Sequence, residues 1–182
     1  MYNKLGAHPM FMKFLTISPV ILLMSCASLT EEACRTGDWE SIGFNDGVRG
    51  RYETYLNQHR EACGDYGIAP NSAAWLLGRV EGLKQYCTPL NSYLSGRQGA
   101  ELNAVCPASQ VTELKLANFY GVRFYEIGEE IDALEEEKIE ILLILAGDPS
   151  EEVIPFLTAR ISDINELLFE LKIAQLDFAV LP

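Results

Sequence analysis

Grouped cations are missing from this sequence. Lysine and arginine total 14 against 26 aspartates and glutamates, for a formal charge of −12. Phosphate recognition needs clustered Lys and Arg, so nucleic acid is excluded as a partner. Only two histidines occur, and there is no CxxC pair. Nucleophile elbow, phosphate loop and two-histidine metal motif are absent too, so no cofactor or bound metal is expected. No apolar run approaches the roughly 20 residues that a helix needs to span a bilayer. What remains is 48% hydrophobic and 22% charged over 182 residues. Such a chain suits one globular domain with an appendage rather than a disordered segment.

The amino terminus carries the parts of an export signal. Lys13 precedes an apolar run from Phe14 to Met24, and Ser25 stands before Cys26. A basic start, a short apolar stretch and a small residue at the cleavage point define such leaders. Leu23-Met24-Ser25-Cys26 resembles a bacterial lipobox, apart from Met24, where a smaller residue is usual. Residues 1–25 then form a lipoprotein signal peptide, Cys26 is the lipidation site, and Met10 and Met12 offer alternative starts. A buried helix start with a chance cysteine is the plainer reading. Acyl chains contribute about 0.8 kcal/mol per buried methylene, so a multiply acylated cysteine anchors firmly to a membrane. Ala27 lacks the aspartate associated with inner-membrane retention, which points to the outer membrane, facing the periplasm.

Four further cysteines follow at Cys34, Cys63, Cys87 and Cys106, with spacings of 29, 24 and 19. In an oxidising compartment an even count reads as two disulfides with three possible pairings. Zinc through His59 and Cys63, four apart on one helical face, is the competing reading. Asp38 is placed to cap a helix over Trp39–Gly50, followed by a segment Glu53–Cys63. Asn71 is placed to cap a third through Cys87, and Thr88 or Asn91 to begin a fourth that is spent by Cys106-Pro107. With the first two segments acting as one helix of an up-down-up bundle, Cys34 approaches Cys87 and Cys63 approaches Cys106.

Glycine within a helix costs about 0.5–1 kcal/mol relative to alanine, so recurring helix glycines require a reason. Gly43 with Gly47, and Gly78 with Gly82, form stripes at four-residue spacing, and weaker echoes follow at Gly96 to Gly99 and Gly121 to Gly128. Bare stripes admit a second backbone or a flat ring. Asp46 and Glu81 occupy equivalent places in the two best repeats. Paired carboxylates are the equipment of acid–base hydrolysis, with His59 as a further base, so an envelope hydrolase is the alternative function. Salt bridges to Arg49, Arg51, Arg79 and Arg97 are the blander account of the same residues.

From residue 126 onward there are 15 acidic and 3 basic residues, whereas 27–125 holds 11 and 9. Such asymmetry marks parts with different surroundings. Apolar residues step by three and four through Tyr120, Phe124, Ile127, Ile131, Leu134, Ile141 and Leu145, with Lys138 as a flaw. They step likewise through Ile154, Leu157, Ile161, Ile164, Leu168, Leu171 and Phe178, as in a coiled-coil seam. Gly147, Asp148, Pro149 and Glu151 compose a helix stop and a new capping box between the arms, which makes them antiparallel. Pro155 calls for a kink or a delayed helix start. Ile139, Leu142, Leu143, Val153 and Phe156 lie off the seam near the tip, a docking or self-association patch unless another helix covers them.

The pattern of Gly-Asp-Trp (37–39), Ile-Gly-Phe (42–44), Asp-Gly (46–47), Gly50-Arg51, His59, Cys63, Pro70, Gly78-Arg79, Gly82-Leu83, Tyr86-Cys87, Gly96-Arg97, Gly99 and Val-Cys (105–106) resembles a set of uncharacterised proteobacterial lipoproteins grouped as domain of unknown function 2799. The resemblance covers roughly Cys34 to Pro107. It implies an exported helical lipoprotein and brings no activity, substrate or catalytic residue. The fold class expected is all-α, with a small disulfide-stapled, glycine-rich helical core followed by a long antiparallel helical hairpin. The units expected are a signal peptide (1–25), a tether (26–37), the core (38–107) and the acidic hairpin (108–182). The function expected is structural or interaction type, with the membrane and an envelope protein, or a second copy, as partners.

Overall fold

The computed structural model describes residues 28–181, all of whose regular elements are helical. The expected signal peptide and the expected lipidation site, Cys26, lie outside the described residues. Seven α-helices follow in order: α1 (Glu31–Thr36), α2 (Trp39–Val48), α3 (Leu56–Gly64), α4 (Ser72–Tyr86), α5 (Pro89–Gly96), α6 (Val111–Ala146) and α7 (Ile154–Leu176). A 3₁₀ turn, Glu53–Tyr55, leads into α3. The caps fall where short polar side chains compete for the first backbone donors. Asp38 accepts from Ser41 N, Asn71 from Ala74 N and Thr88 from Asn91 N.

The helices associate as three successive pairs, and the glycines decide the first two. A Cβ at Gly43 would run into the Trp75 carbonyl, at Gly47 into Arg79, at Gly78 into Glu40 and at Gly82 into Phe44. Backbone therefore lies on backbone along α2 and α4, with no side chain between them. Contacts advance together along both helices, so the two run parallel. The pair α5–α6 repeats the arrangement, with Gly96 against Asn118 and Val122, and Gly121 against Tyr93 and Arg97.

The repeat extends to fine detail. Gly50 (φ 65°) and Gly99 (φ 75°) each turn the chain out of the first helix of a pair in the left-handed conformation that glycine tolerates. A tyrosine ring lies against each of them, Tyr86 on Gly50 and Tyr125 on Gly99. The carbonyl one residue later is held from the second helix, Arg51 O by Arg79 Nε at 2.8 Å and Ala100 O by Asn118 Nδ2 at 2.9 Å.

Parallel pairing corrects the expected disulfides. The bonds are Cys34–Cys63 and Cys87–Cys106, not Cys34–Cys87 and Cys63–Cys106. A parallel partner must start beside the start of the first helix, so the intervening chain has to return there. That return delivers Cys63 to Cys34 and Cys106 to Cys87. The bend at Gly50 also parts α2 from α3, so the two do not act as one helix. Two further expectations change. The segment 26–37 is not a plain tether, because α1 forms within it, capped by Thr30, and buries Cys34 to 1% exposure. The fourth helix ends at Gly96, leaving a loop stitched by Tyr86 and Asn118 rather than helix up to Cys106.

α6 runs on past Gly121 and packs against α7. Cross-helix bonds join Phe124 to Gln175, Glu135 to Lys172, Lys138 to Asn165 and Glu137 to Arg160. Rising numbers on one helix meet broadly falling numbers on the other, as antiparallel neighbours require. Ile127, Ile131, Ile141, Leu157, Ile164 and Leu168 are buried between them, with Leu134, Leu145, Ile161, Leu171 and Phe178 packed alongside. These are seam positions of the sequence. At the tip Gly147 closes α6, but Asp148 takes φ 60° and α7 begins only at Ile154. The capping box at Asp148 and Glu151 is not formed. Pro155 sits instead in the first turn of α7, where its missing N–H loses no helical bond.

Candidate functional site

Two features of the described surface and interior could serve function: a sealed polar cluster beneath α2, α3 and α4, and an open face on the α6–α7 pair. The first centres on Asp46. Its Oδ2 accepts from Trp75 Nε1 at 2.9 Å and meets His59 Nε2 at 2.7 Å. A carboxylate only accepts, so Nε2 carries the proton. In the neutral ring Nδ1 is then an acceptor, and it faces the Ser28 hydroxyl at 2.9 Å. Serine, histidine and aspartate in a line have the composition of a charge relay. The surroundings give them another role. Asp46 is 4% exposed, His59 1% and Trp75 0%, so a substrate carbonyl has no path to the imidazole. The cluster is a latch that ties the segment before α1 to three helices. Removing the carboxylate would strand two buried donors, at about 1–3 kcal/mol each.

The paired-carboxylate hydrolase is corrected by the same geometry. Asp46 is consumed by the latch, while Glu81 stands on the exposed side of α4 and pairs with Lys84 at 2.7 Å. They line no common cleft. His59 is a latch residue rather than a free base. Zinc at His59 and Cys63 is ruled out as well, because Cys63 is in a disulfide and His59 Nε2 faces Asp46. Among the described residues no group of three or more His, Cys, Asp or Glu is placed to hold a metal ion. Of the four arginines expected as counterions, Arg79 is buried on α4, with Nη1 3.6 Å from Glu53. Burial pushes its guanidinium below the ordinary value, while the charges of Glu53 and Asp46 act the other way. Arg97 instead sits over the Phe124 ring, its Cζ 3.6 Å from the ring centroid. Sequence reasoning missed Ser28 and the polar role of Trp75. Both contacts span about thirty positions, and no local pattern signals either.

The second feature is the face of α6 and α7. Ile139 is 58% exposed, Leu142 48%, Leu143 68%, Val153 41% and Phe156 73%. Beside them Ile139, Leu142, Leu168 and Phe169 line a groove of about 500 Å³ between the two helices. All three cations of residues 126–182 are already engaged within the pair, Lys138 by Asn165, Arg160 by Glu137 and Lys172 by Glu135. Those bonds hold the carboxyls of Glu135 and Glu137 below the ordinary glutamate range and raise the Arg160 guanidinium. Most of the acidic residues here have no cationic partner. The groove's charged lining, Glu135, Lys138 and Lys172, is taken up in these cross-helix bonds, while residues 126–182 as a whole carry a strong negative charge. Among the described residues no helix is long and apolar enough to cross a membrane.

No curated protein and no solved structure is detectably similar to the chain. A family model does match, over residues 38–121, and this extends beyond the Cys34–Pro107 stretch that carried the resemblance. The extension has a structural reason, since Gly121 on α6 completes the second parallel pair with Gly96. The matched residues thus take in the packing glycines of both parallel pairs, and over this stretch the chain matches the family described as protein of unknown function, DUF2799.

Proposed function

We propose that this is an exported, lipid-anchored bacterial envelope protein that acts by interaction. Cys26 carries the lipid, most simply in the outer membrane facing the periplasm. The disulfide-stapled core of 38–107 serves as a rigid base, and the acidic hairpin of 108–182 presents the contact surface as an antiparallel coiled coil. The observation that carries the reading is the exposure of Leu143 and Phe156, at 68% and 73%, on a face whose only cations are internally paired. Large apolar side chains gathered on a surface mark a contact site. The net negative charge of residues 126–182 selects what docks there. A second copy would bring like charge against like, so the fitting occupant is a protein that offers an apolar helix flanked by Lys or Arg.

The test joins anchoring to contact. Palmitate labelling of the wild-type chain and of Cys26→Ser should mark only the former. Crosslinking in intact envelopes should capture a partner whose contacting segment is basic and helical, in a complex that weakens as salt rises. Leu143→Glu with Phe156→Glu should abolish that capture and leave the core fold unchanged. Sedimentation as a dimer through the hairpin, or capture unaffected by the double substitution, would refute the partner assignment.

A further inference from the structure

Where the chain leaves α2 it forms one wall of a cleft of about 590 Å³, lined by Arg51, Tyr52, Thr54, Tyr55, Gln58 and Asn103. The walls come from two places in the sequence. The Gly50–Tyr55 turn and α3 supply five residues, and the loop after α5 supplies Asn103. Each wall is braced by its own disulfide, Cys34–Cys63 behind α3 and Cys87–Cys106 behind the loop.

The backbone here is fixed in advance. Arg51 N donates to Asp46 O at 2.9 Å, and Arg79 Nε donates to Arg51 O at 2.8 Å. Asn103 Nδ2 reaches across to Gly50 O at 3.1 Å, while Asn103 N is held by the Tyr86 hydroxyl at 2.9 Å. Beneath the cleft Tyr55 presses on His59, with ring centroids 5.1 Å apart and planes at 85°, so the buried latch sets the tyrosine ring. That ring in turn carries the Arg51 guanidinium, 4.5 Å above its centroid. Among the described residues the Arg51 side chain makes no hydrogen bond, which leaves its N–H donors for a carboxylate. Among the described residues Arg51 has no acidic partner.

The remaining lining describes the rest of a ligand. Tyr52 is 47% exposed, and its hydroxyl accepts from Ala104 N at 3.3 Å, which leaves its own hydrogen to donate. Gln58 and Thr54 add an amide and a hydroxyl, and Asn103 keeps its carbonyl oxygen. One cation, an exposed aromatic face and several neutral donors and acceptors suit a singly charged, hydroxyl-rich ring. A doubly charged phosphate fits worse, because Glu53 stands beside Arg79 and the chain as a whole is strongly acidic. We propose that this cleft binds an acidic sugar through its carboxylate on Arg51, either as a free monosaccharide or as a unit of a glycan. All six lining residues fall inside the family match, whereas most of the α6–α7 pair lies beyond it, so the cleft stands independently of the hairpin contact.

The oxidised chain, labelled with ¹⁵N, is titrated with D-glucuronate and N-acetylmuramate, and with glucose and N-acetylglucosamine as uncharged counterparts. Acidic sugars should shift the side-chain amides of Gln58 and Asn103 and bind about tenfold or more tighter than the uncharged ones. Arg51→Gln should erase that preference at an unchanged melting temperature, since the Arg51 side chain supports no buried group. Gln58→Leu should weaken every sugar without altering the preference. Cosedimentation with purified cell-wall glycan that acidic monosaccharide displaces would identify a polymer unit as the ligand. Binding of the monosaccharide without cosedimentation would identify the free sugar. Equal response to charged and uncharged sugars, no response to either, or an acidic preference that survives Arg51→Gln would overturn the proposal.

Discussion

The core and the α6–α7 pair are both helix-on-helix, yet they are held together by different parts of the chain. In the core, glycines bring main chain against main chain, and one added carbon has nowhere to go. Between α6 and α7, aliphatic side chains meet across a seam, and the one glycine there, Gly128, would place a Cβ 3.2 Å from the amide end of Gln175, a side-chain tip on Phe124 O that has to give by only a few tenths of an ångström. The lesson is that glycine content says little until the partner atom is known. Where a carbonyl stands opposite, glycine is required; where a flexible side-chain tip does, it is a dispensable weakness.

The contrast can be broken most forcefully at its staples. Replacing Cys34 and Cys63 by serine should destabilise the core by about 3–4 kcal/mol from loop closure alone. Fluorescence of Trp39 and Trp75, both in the core, should report its loss before far-UV circular dichroism reports melting of the longer pair. Asp46→Ala comes next. It leaves Trp75 Nε1 and His59 Nε2 without a shared acceptor and should cost about 2–4 kcal/mol in denaturant unfolding. Gly78→Ala should cost about 1–3 kcal/mol through overpacking against Glu40, despite the better helix propensity of alanine. Gly128→Ala should do the reverse and raise stability by something under about 1 kcal/mol. A shared sign for these two glycine substitutions would dissolve the distinction between the regions.

The smallest effect concerns pH. The folded-state pKa of Glu137 is depressed, chiefly by its bond to Arg160. Its contribution is therefore fully present above the ordinary glutamate value and is lost as pH falls through the lower folded value. The stability gap between wild type and Glu137→Gln should be widest near neutrality and close on acidification. Titration of the melting temperatures of both proteins would check this. Because the pair is exposed, added salt should narrow the gap as well.

Much of the fold could be read from residues alone, and the failures share one cause. The caps at Asp38, Asn71 and Thr88 and the seam from Ile127 to Leu171 are local signals, written within a few residues of where they act. The glycine stripes announced close packing but not direction. Four-residue spacing is the same for a parallel partner as for an antiparallel one, so the up-down-up assumption carried the disulfide pairing with it. Asp46 and His59 were singled out for chemistry because their types are reactive. Their burial depends on Trp75, 29 positions away from Asp46, and no pattern in the sequence connects the two. Arg51 was counted only as a possible counterion, and its place over Tyr55 depends on the bend at Gly50.

Each sulfur–sulfur bond joins cysteines that are consecutive among the four, with no third one between them. A chain crossing a membrane amino end first therefore exposes each cysteine next to its rightful mate. An oxidase that simply links thiols in order of arrival reaches the native connectivity without any later reshuffling. On the proposed export route, secretion of this protein should accordingly survive loss of a disulfide isomerase, while depending on the oxidase itself.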